Sequence, residues 1–226
     1  MLHASHTVAD IGCDHGRLSA ALLQSGAAEC VIAADISPAS LDKAHALARL
    51  TGLCDRMDIR LADGLNAIAP DEADALALCG MGGTLIVELL MAAKIPLMGA
   101  RVAVFQPMRG VEELRQYLFE NGYRVTNDVI VPDAGRLYQV FSVERGQDEL
   151  PDGWPADCFA LGHRSLSDDH FPALAHHMLA QHEKRLKTAR GTAGQELLEQ
   201  KATHMRRVLE LYEKLQQIGT DTDGRT

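Results

Sequence analysis

The stretch "VADIGCDHG", Val8 to Gly16, gathers two carboxylates, a histidine and two glycines where an apolar run ends. Gly12 lets the backbone turn and come close to a ligand, and Gly16 lets the following helix pack tightly. The dinucleotide pattern G-x-G-x-x-G is absent, because Asp14 stands where the second glycine would be. A carboxylate there is unfavourable beside a pyrophosphate and favourable beside a cation.

Further candidates follow at the ends of the next apolar runs. Asp35 closes the second and can accept hydrogen bonds from both ribose hydroxyls of a nucleoside. Asp63 closes the third and is placed to meet an adenine amino group. "CGMGG" closes the fourth, with Gly80, Met81, Gly82 and Gly83 where the reactive end of a ligand would lie. S-adenosylmethionine carries a sulfonium and an ammonium and no phosphate, so Asp10 and Asp14 favour it over NAD by charge. The plainer reading, a tight corner that suits glycine, does not account for Asp35 and Asp63 at the next two tips.

These residues need a scaffold that brings strand ends together. Up to about residue 145 the chain alternates short apolar runs with helical patterns: "TVADIG", "CVIAAD", "MDIRLAD", "ADALALCG" and "RVAVFQP" read as strands. Ser37 and Pro38 open a helix that Gly52 stops. "PDAG" reads as the turn of an antiparallel hairpin. The pattern predicts an α/β, seven-stranded, mostly parallel, doubly wound sheet with an antiparallel hairpin at one edge. In such sheets ligands lie beyond the carboxyl ends of the strands.

Residues 147–170, interrupted by Pro151 and Pro155, read as a linker with a short turn or helix. Residues 171–218 read as an antiparallel helical hairpin of coiled-coil type. Leu198, Ala202, Met205, Leu209 and Tyr212 form its seam, and Val208, Leu211, Leu215 and Ile218 form a second row that broadens the buried face near the end. The division is thus a cofactor-binding domain at 1–146, the linker, the hairpin, and a disordered tail at 219–226.

The chain has 226 residues and a net charge of −9, which speaks against a nucleic-acid binder. Residues 181–218 nevertheless carry an excess of basic side chains: Lys184, Arg185, Lys187, Arg190, Lys201, Arg206, Arg207 and Lys214. The bland reading of these is a solvated helix face. Clustered on one face, they would attract a phosphate backbone. Five unpaired-looking cysteines fit a reducing cytoplasm and argue against a zinc site. His163, His176, His177 and His182 match no standard metal spacing, so no metal is expected. Neither a signal peptide nor a membrane span is legible.

"VADIGCDHG", "ADISPASLDKA", "ADGL", "CGMGGTLI", "QPM" and "GYRV", in this order across residues 7–145, resemble the bacterial TrmK family, the tRNA (adenine(22)-N1)-methyltransferases. The resemblance implies a Rossmann-like methyltransferase domain, S-adenosylmethionine as donor, and a C-terminal coiled-coil-like domain that helps hold tRNA. It carries cofactor contacts onto Asp10, Gly12, Asp14, His15, Gly16, Asp35, Ile36, Asp63, Gly64 and the Gly80–Gly83 loop. Arg17 departs from the pattern, standing where an aromatic residue is common; it contacts phosphate or only solvent.

N1 of adenine has a lone pair and no proton, so it can attack a sulfonium methyl without a general base. In-line positioning can lower the barrier by roughly 7–11 kcal/mol. Asp14 would stabilise the cationic product base, and His15 either touches the ligands or orients its loop. Other readings stand beside this one: methylation of a small molecule or protein, a non-catalytic cofactor-binding protein with a partner-binding tail, or an NAD-dependent oxidoreductase. A monomer or weak dimer is expected.

Overall fold

The structure, a computed structural model, describes residues 5–93, 95–189, 191 and 194–223. The chain divides into two compact units, Met1–Asp128 with Tyr138–Asp148, and Val129–Leu137 with Glu149–Thr226.

The first unit is built on a sheet of seven strands. They are β1 (Ser5–Ile11), β2 (Ala28–Asp35), β3 (Met57–Leu61), β4 (Ala75–Cys79), β5 (Val102–Gln106), β6 (Tyr123–Asp133) and β7 (Arg136–Arg145). Their order is β3-β2-β1-β4-β5-β7-β6, parallel from β3 to β5, with β7 antiparallel to β5. This is the doubly wound sheet that the alternation of apolar runs predicts, and its antiparallel hairpin lies at one edge. Strand order reverses at β1, with β2 on one side and β4 on the other, which opens a crevice at the carboxyl ends.

Alternate side chains of the central strands serve opposite layers. Ala75 and Ala77 join Val8, Val31 and Ala33 under α1 (Arg17–Ser25) and α2 (Pro38–Thr51). Leu76 and Leu78 join Ile11, Phe105 and Phe141 under α3 (Gly83–Ala92) and α4 (Val111–Glu120). Each fully buried large side chain contributes roughly 1.5–3 kcal/mol. Ser37 caps α2, its Oγ accepting from the Ser40 amide at 3.2 Å, and Gly52 ends the helix in the left-handed region at φ 68°. Arg115 on α4 donates to Asp128 on β6 and Gln139 on β7 and lies 4.0 Å over the Phe141 ring. A buried ion pair therefore locks α4 to the hairpin.

The second unit has its own core. Trp154, Cys158, Ala160 and Leu161 pack with Ile130, Phe171, Leu174, Met205, Val208 and Leu209. Residues 149–170 are thus core material of this unit, where the sequence reads as a linker. The Trp154 indole donates to the Cys158 carbonyl at 3.3 Å, and Asp168 accepts the Ile130 and His170 amides at 2.8 Å each. Helices α5 (Phe171–Thr188) and α6 (Gln195–Asp223) pack together, and Phe171 stacks on Tyr212 at 5.6 Å.

The expected seam is half-buried at Leu198 and Tyr212 and buried at Ala202, Met205 and Leu209. The second row behaves differently: Val208 is buried, but Leu215 is 45% exposed. The reason is length. α6 has 29 residues against 18 in α5, so with Tyr212 already stacked on the first residue of α5 the rest of α6 runs on past the start of that helix. Side chains from 218 on, and residues 224–226, lie outside the described residues, while the backbone is helical to Asp223. No described helix is long and apolar enough to cross a membrane.

Candidate functional site

The register aligns the strand tips. Asp10 pairs with Ala33 and Ala77, Ile11 with Ala34, and Asp35 with Leu61. The loops that follow β1, β2, β3 and β4 therefore emerge side by side, and they carry the candidate cofactor residues.

The β1 loop is stitched to β2. The Gly12 and Cys13 amides both donate to the Ala34 carbonyl, at 2.8 and 2.9 Å. Asp35, half-buried, accepts the Asp14 amide on Oδ2 at 3.0 Å and the Ser37 amide on Oδ1 at 2.8 Å. Asp35 is thus first a loop-building residue. A carboxylate offers about four lone-pair sites, so each of its oxygens retains one for a ligand hydroxyl. Gly16 sits 3.0 Å, measured from where a Cβ would be, from the Ala44 Cβ, so its close contact is with α2 and not with the helix that follows it.

Asp10 lies behind this loop. It is 2% exposed, and its Oδ2 accepts the Ser19 hydroxyl of α1 at 2.6 Å. Burial pushes its pKa up to about 6; the Ser19 bonds hold it lower than burial alone would, and the Asp35 charge adds a smaller upward push. Burial likewise raises the Cys13 and Cys79 thiols to about 12, each with the Asp10 charge adding to the push, so neither is a thiolate nucleophile at neutral pH.

Asp14 is exposed and left-handed at φ 47°, a conformation that Asp tolerates better than most side chains. Its Oδ1 accepts the Ser40 hydroxyl at 3.1 Å. Lys43 Nζ lies 2.9 Å from His15 Nε2. An ammonium only donates, so this contact makes Nε2 an acceptor and puts the ring proton on Nδ1. The 3.3 Å approach of His15 Nε2 to Asp14 Oδ1 is then a contact between two acceptors, not a second bond. Ser19, Ser37, Ser40 and Lys43 carry no motif of their own; the fold recruits them.

Ile36, 69% exposed, and Asp63, exposed, stand at the tips of β2 and β3, and Gly64 follows at φ 53°. The β4 loop is bound to the segment after β5. The Gly80 amide donates to the Gln106 carbonyl and to Gln106 Oε1, both at 3.0 Å, the Met108 amide to the Met81 carbonyl at 2.8 Å, and the Gly83 amide to the Arg109 carbonyl at 2.7 Å. Met81 leans over the first loop: its methyl lies where a Cβ on Gly12 would be.

The basic candidates of the second unit fall into two places. Lys184, Arg185 and Lys187 are exposed near the end of α5, and Arg206 donates across to Glu183 at 2.7 Å, which brings Lys201, Arg206 and Arg207 to the same end of the pair. Lys214 is roughly 20 Å along α6 from Lys201, near Tyr212 and the start of α5, so it does not join them. Arg190 lies outside the described residues.

A groove of about 600 Å³ runs elsewhere, beside β2 and β3. Two of its three arginines are engaged: Arg60 with Asp58 and Glu72, and Arg56 with the Leu23, Ala28 and Glu29 carbonyls. The strand tips, by contrast, gather carboxylates with spare acceptor capacity around glycine turns, among them Gly80 with open space where a Cβ would stand.

Comparison with known proteins bears on the first unit as a whole. Residues 1–141 match the family described as "Methyltransferase domain". A curated relative, the tRNA (adenine(22)-N(1))-methyltransferase of Bacillus subtilis, is 33% identical over 147 residues, covering 65% of this chain and 62% of that protein. A Mycoplasma pneumoniae protein named "Putative tRNA methyltransferase" is 30% identical, covering 60% of this chain and 62% of that protein. The match thus spans less than two thirds of either curated relative. Among solved structures, the B. subtilis tRNA methyltransferase TrmK is 26% identical with a TM-score of 0.75, covering 94% of this chain and 92% of that one. With the family match running from before β1 into β7 and over every loop of the site, the chain belongs to the methyltransferase-domain family.

Proposed function

We propose that this chain transfers a methyl group from S-adenosylmethionine to N1 of an adenine, at position 22, in tRNA, and that it does so in the cytoplasm. The observation that carries the reading is the set of carboxylates at the strand tips, Asp14, Asp35 and Asp63, on loops with no phosphate cradle. A family match over the same residues and a curated relative of that activity support it.

The residues fit the cofactor. Asp35 has one free lone pair on each oxygen for the ribose hydroxyls, and Asp63 is exposed for the adenine amino group. Asp10, pushed up to about 6, is largely ionised at neutral pH without a cationic partner, and a nearby ligand cation would relieve that charge. Gly12 and Gly80, both left-handed, keep the loop backbones close to the crevice. When bound, the cofactor supplies an electrophilic methyl on sulfur.

The protein's work is then orientation and electrostatics. Adenine N1 presents a lone pair, so no side chain has to remove a proton. Asp14, fixed by Ser40 and by its amide bond to Asp35, is an acceptor placed to stabilise the positive charge that the product base acquires. His15, bonded to Lys43 through Nε2, orients the same loop. The Gly80–Gly83 loop, tied to Gln106, Met108 and Arg109, forms the wall against which the base is set. N1 lies on the pairing edge, so the base has to be unpaired or turned out, at a cost of a few kcal/mol. The basic end of the helix pair, with Lys184, Arg185, Lys187, Lys201, Arg206 and Arg207, holds the tRNA backbone, and Lys214 adds a separate contact.

The test is incubation with labelled S-adenosylmethionine and unmodified tRNAs, followed by digestion to nucleosides. The expected product is 1-methyladenosine, lost when the adenine at position 22 is replaced by guanine. Label in another nucleoside, or in no tRNA, would contradict the assignment.

A further inference from the structure

We propose that Arg109, with Met108 beside it, is the subsite for the target nucleotide, and that its guanidinium grips a phosphate flanking the base. This rests on the reading of the site as a tRNA methyltransferase.

The segment after β5 is held with unusual firmness for a surface loop. Its bonds to the β4 loop, at Gln106, Met108 and Arg109, continue the β4–β5 pairing past the strand ends, and a parallel bridge joins Gly82 to Arg109. The Arg109 backbone is thereby fixed. Its side chain lies across Gly82, with Nε 3.5 Å from where a Cβ on that glycine would stand. Most arginines of this unit are spent on the protein itself. Arg60, Arg101, Arg115 and Arg124 pair with carboxylates, and Arg56 and Arg145 donate to carbonyls. Arg109 is exposed, and no described carboxylate comes within ion-pair distance of it. An anchored, unpaired guanidinium is a fork for a bidentate anion.

Its neighbours identify which anion. Met108, next to Arg109 in the chain, is 48% exposed, and its amide donates to the carbonyl of Met81, which is partly buried with its methyl over Gly12; Leu85, two residues past the Gly83 whose amide donates to the Arg109 carbonyl, is 47% exposed. These are apolar, polarizable surfaces suited to a flat ring. A cation beside an apolar platform matches one nucleotide, with the base on the platform and its phosphate on the arginine. The location solves an electrostatic problem as well. Asp14, Asp35 and Asp63 repel a polyanion from the tips, and Arg109 offsets that repulsion where the base enters.

The experiment compares the full chain with its Arg109→Gln and Arg109→Lys variants on unmodified tRNA. Arg109→Gln is expected to raise the tRNA KM about tenfold or more. It is also expected to lower the slope of log affinity against log salt by about one, with cofactor affinity as in the wild type. Arg109→Lys, which keeps the charge and loses the fork, should restore the salt slope but only part of the KM. Wild-type KM and salt slope in Arg109→Gln would overturn the assignment while leaving the proposed function standing. Failure of the wild-type protein to methylate any tRNA would sink the proposed function, and this subsite with it.

Discussion

Asp10 is a carboxylate in a place that penalises its charge. Its folded pKa, about 6, stands above the unfolded value of 3.8. Below pH 3.8 the group is protonated in both states and costs nothing. As pH rises from there through 6, the unfolded chain releases its proton first, and stability falls by about 3 kcal/mol, a loss that persists at neutral pH. Asp10→Asn, which can still accept from Ser19, should therefore flatten the melting temperature across pH 4–6 and raise it at pH 7, while weakening cofactor binding. Thermal melts over that range check this; equal pH dependence in variant and wild type would contradict it. At this scale the sequence shows which residue types gather at the tips but not how they are satisfied. That Asp35 accepts the Asp14 amide, or that Lys43 bonds His15 Nε2, depends on partners 21 and 28 residues away, brought near only by the fold.

Among the elements, the two loops above β4 and β5 act as one piece. The run "GMGG" does not say which glycine is indispensable; packing does. A Cβ on Gly83 would stand 1.9 Å from the Gly110 carbonyl oxygen, a backbone atom that cannot swing aside, whereas one on Gly82 meets only the Arg109 side chain, at 3.5 Å. Gly83→Ala should force the loops apart, cost about 1–3 kcal/mol and abolish methyl transfer. Gly82→Ala should leave the denaturation midpoint near that of the wild type. Equal midpoints for the two variants would mean that the loops separate freely. The strands, by contrast, are legible in advance: parallel strands buried on both faces read as continuous apolar runs, and helix ends at Gly26 and Gly52 announce themselves by glycine. The 149–170 segment is not legible, because Trp154, Cys158 and Leu161 reach their core through irregular turns with no repeating period. The overextended end of α6 is missed for a different reason: periodicity marks an apolar row but not where the neighbouring helix begins.

At the level of the whole molecule, a chain of net charge −9 is asked to hold a polyanion. Local distribution must decide this, and α5 and α6 concentrate their cations at one end. Arg206 is already paired with Glu183 and Arg207 is exposed without a described carboxylate partner, so Arg207→Glu should weaken tRNA binding more than Arg206→Gln and flatten its salt dependence. Filter binding at several salt concentrations would show it; unchanged affinity in Arg207→Glu would remove that face from the interface. The claim on which the rest depends is that carboxylates at the strand tips hold a sulfonium nucleoside. Calorimetry of S-adenosylmethionine against the wild-type chain and Asp35→Ala tests it most directly. The account predicts binding by the wild type, no binding of NAD, and a loss of roughly 1.5–3 kcal/mol in the variant. Equal affinity in the two proteins, or preference for the dinucleotide, would contradict it.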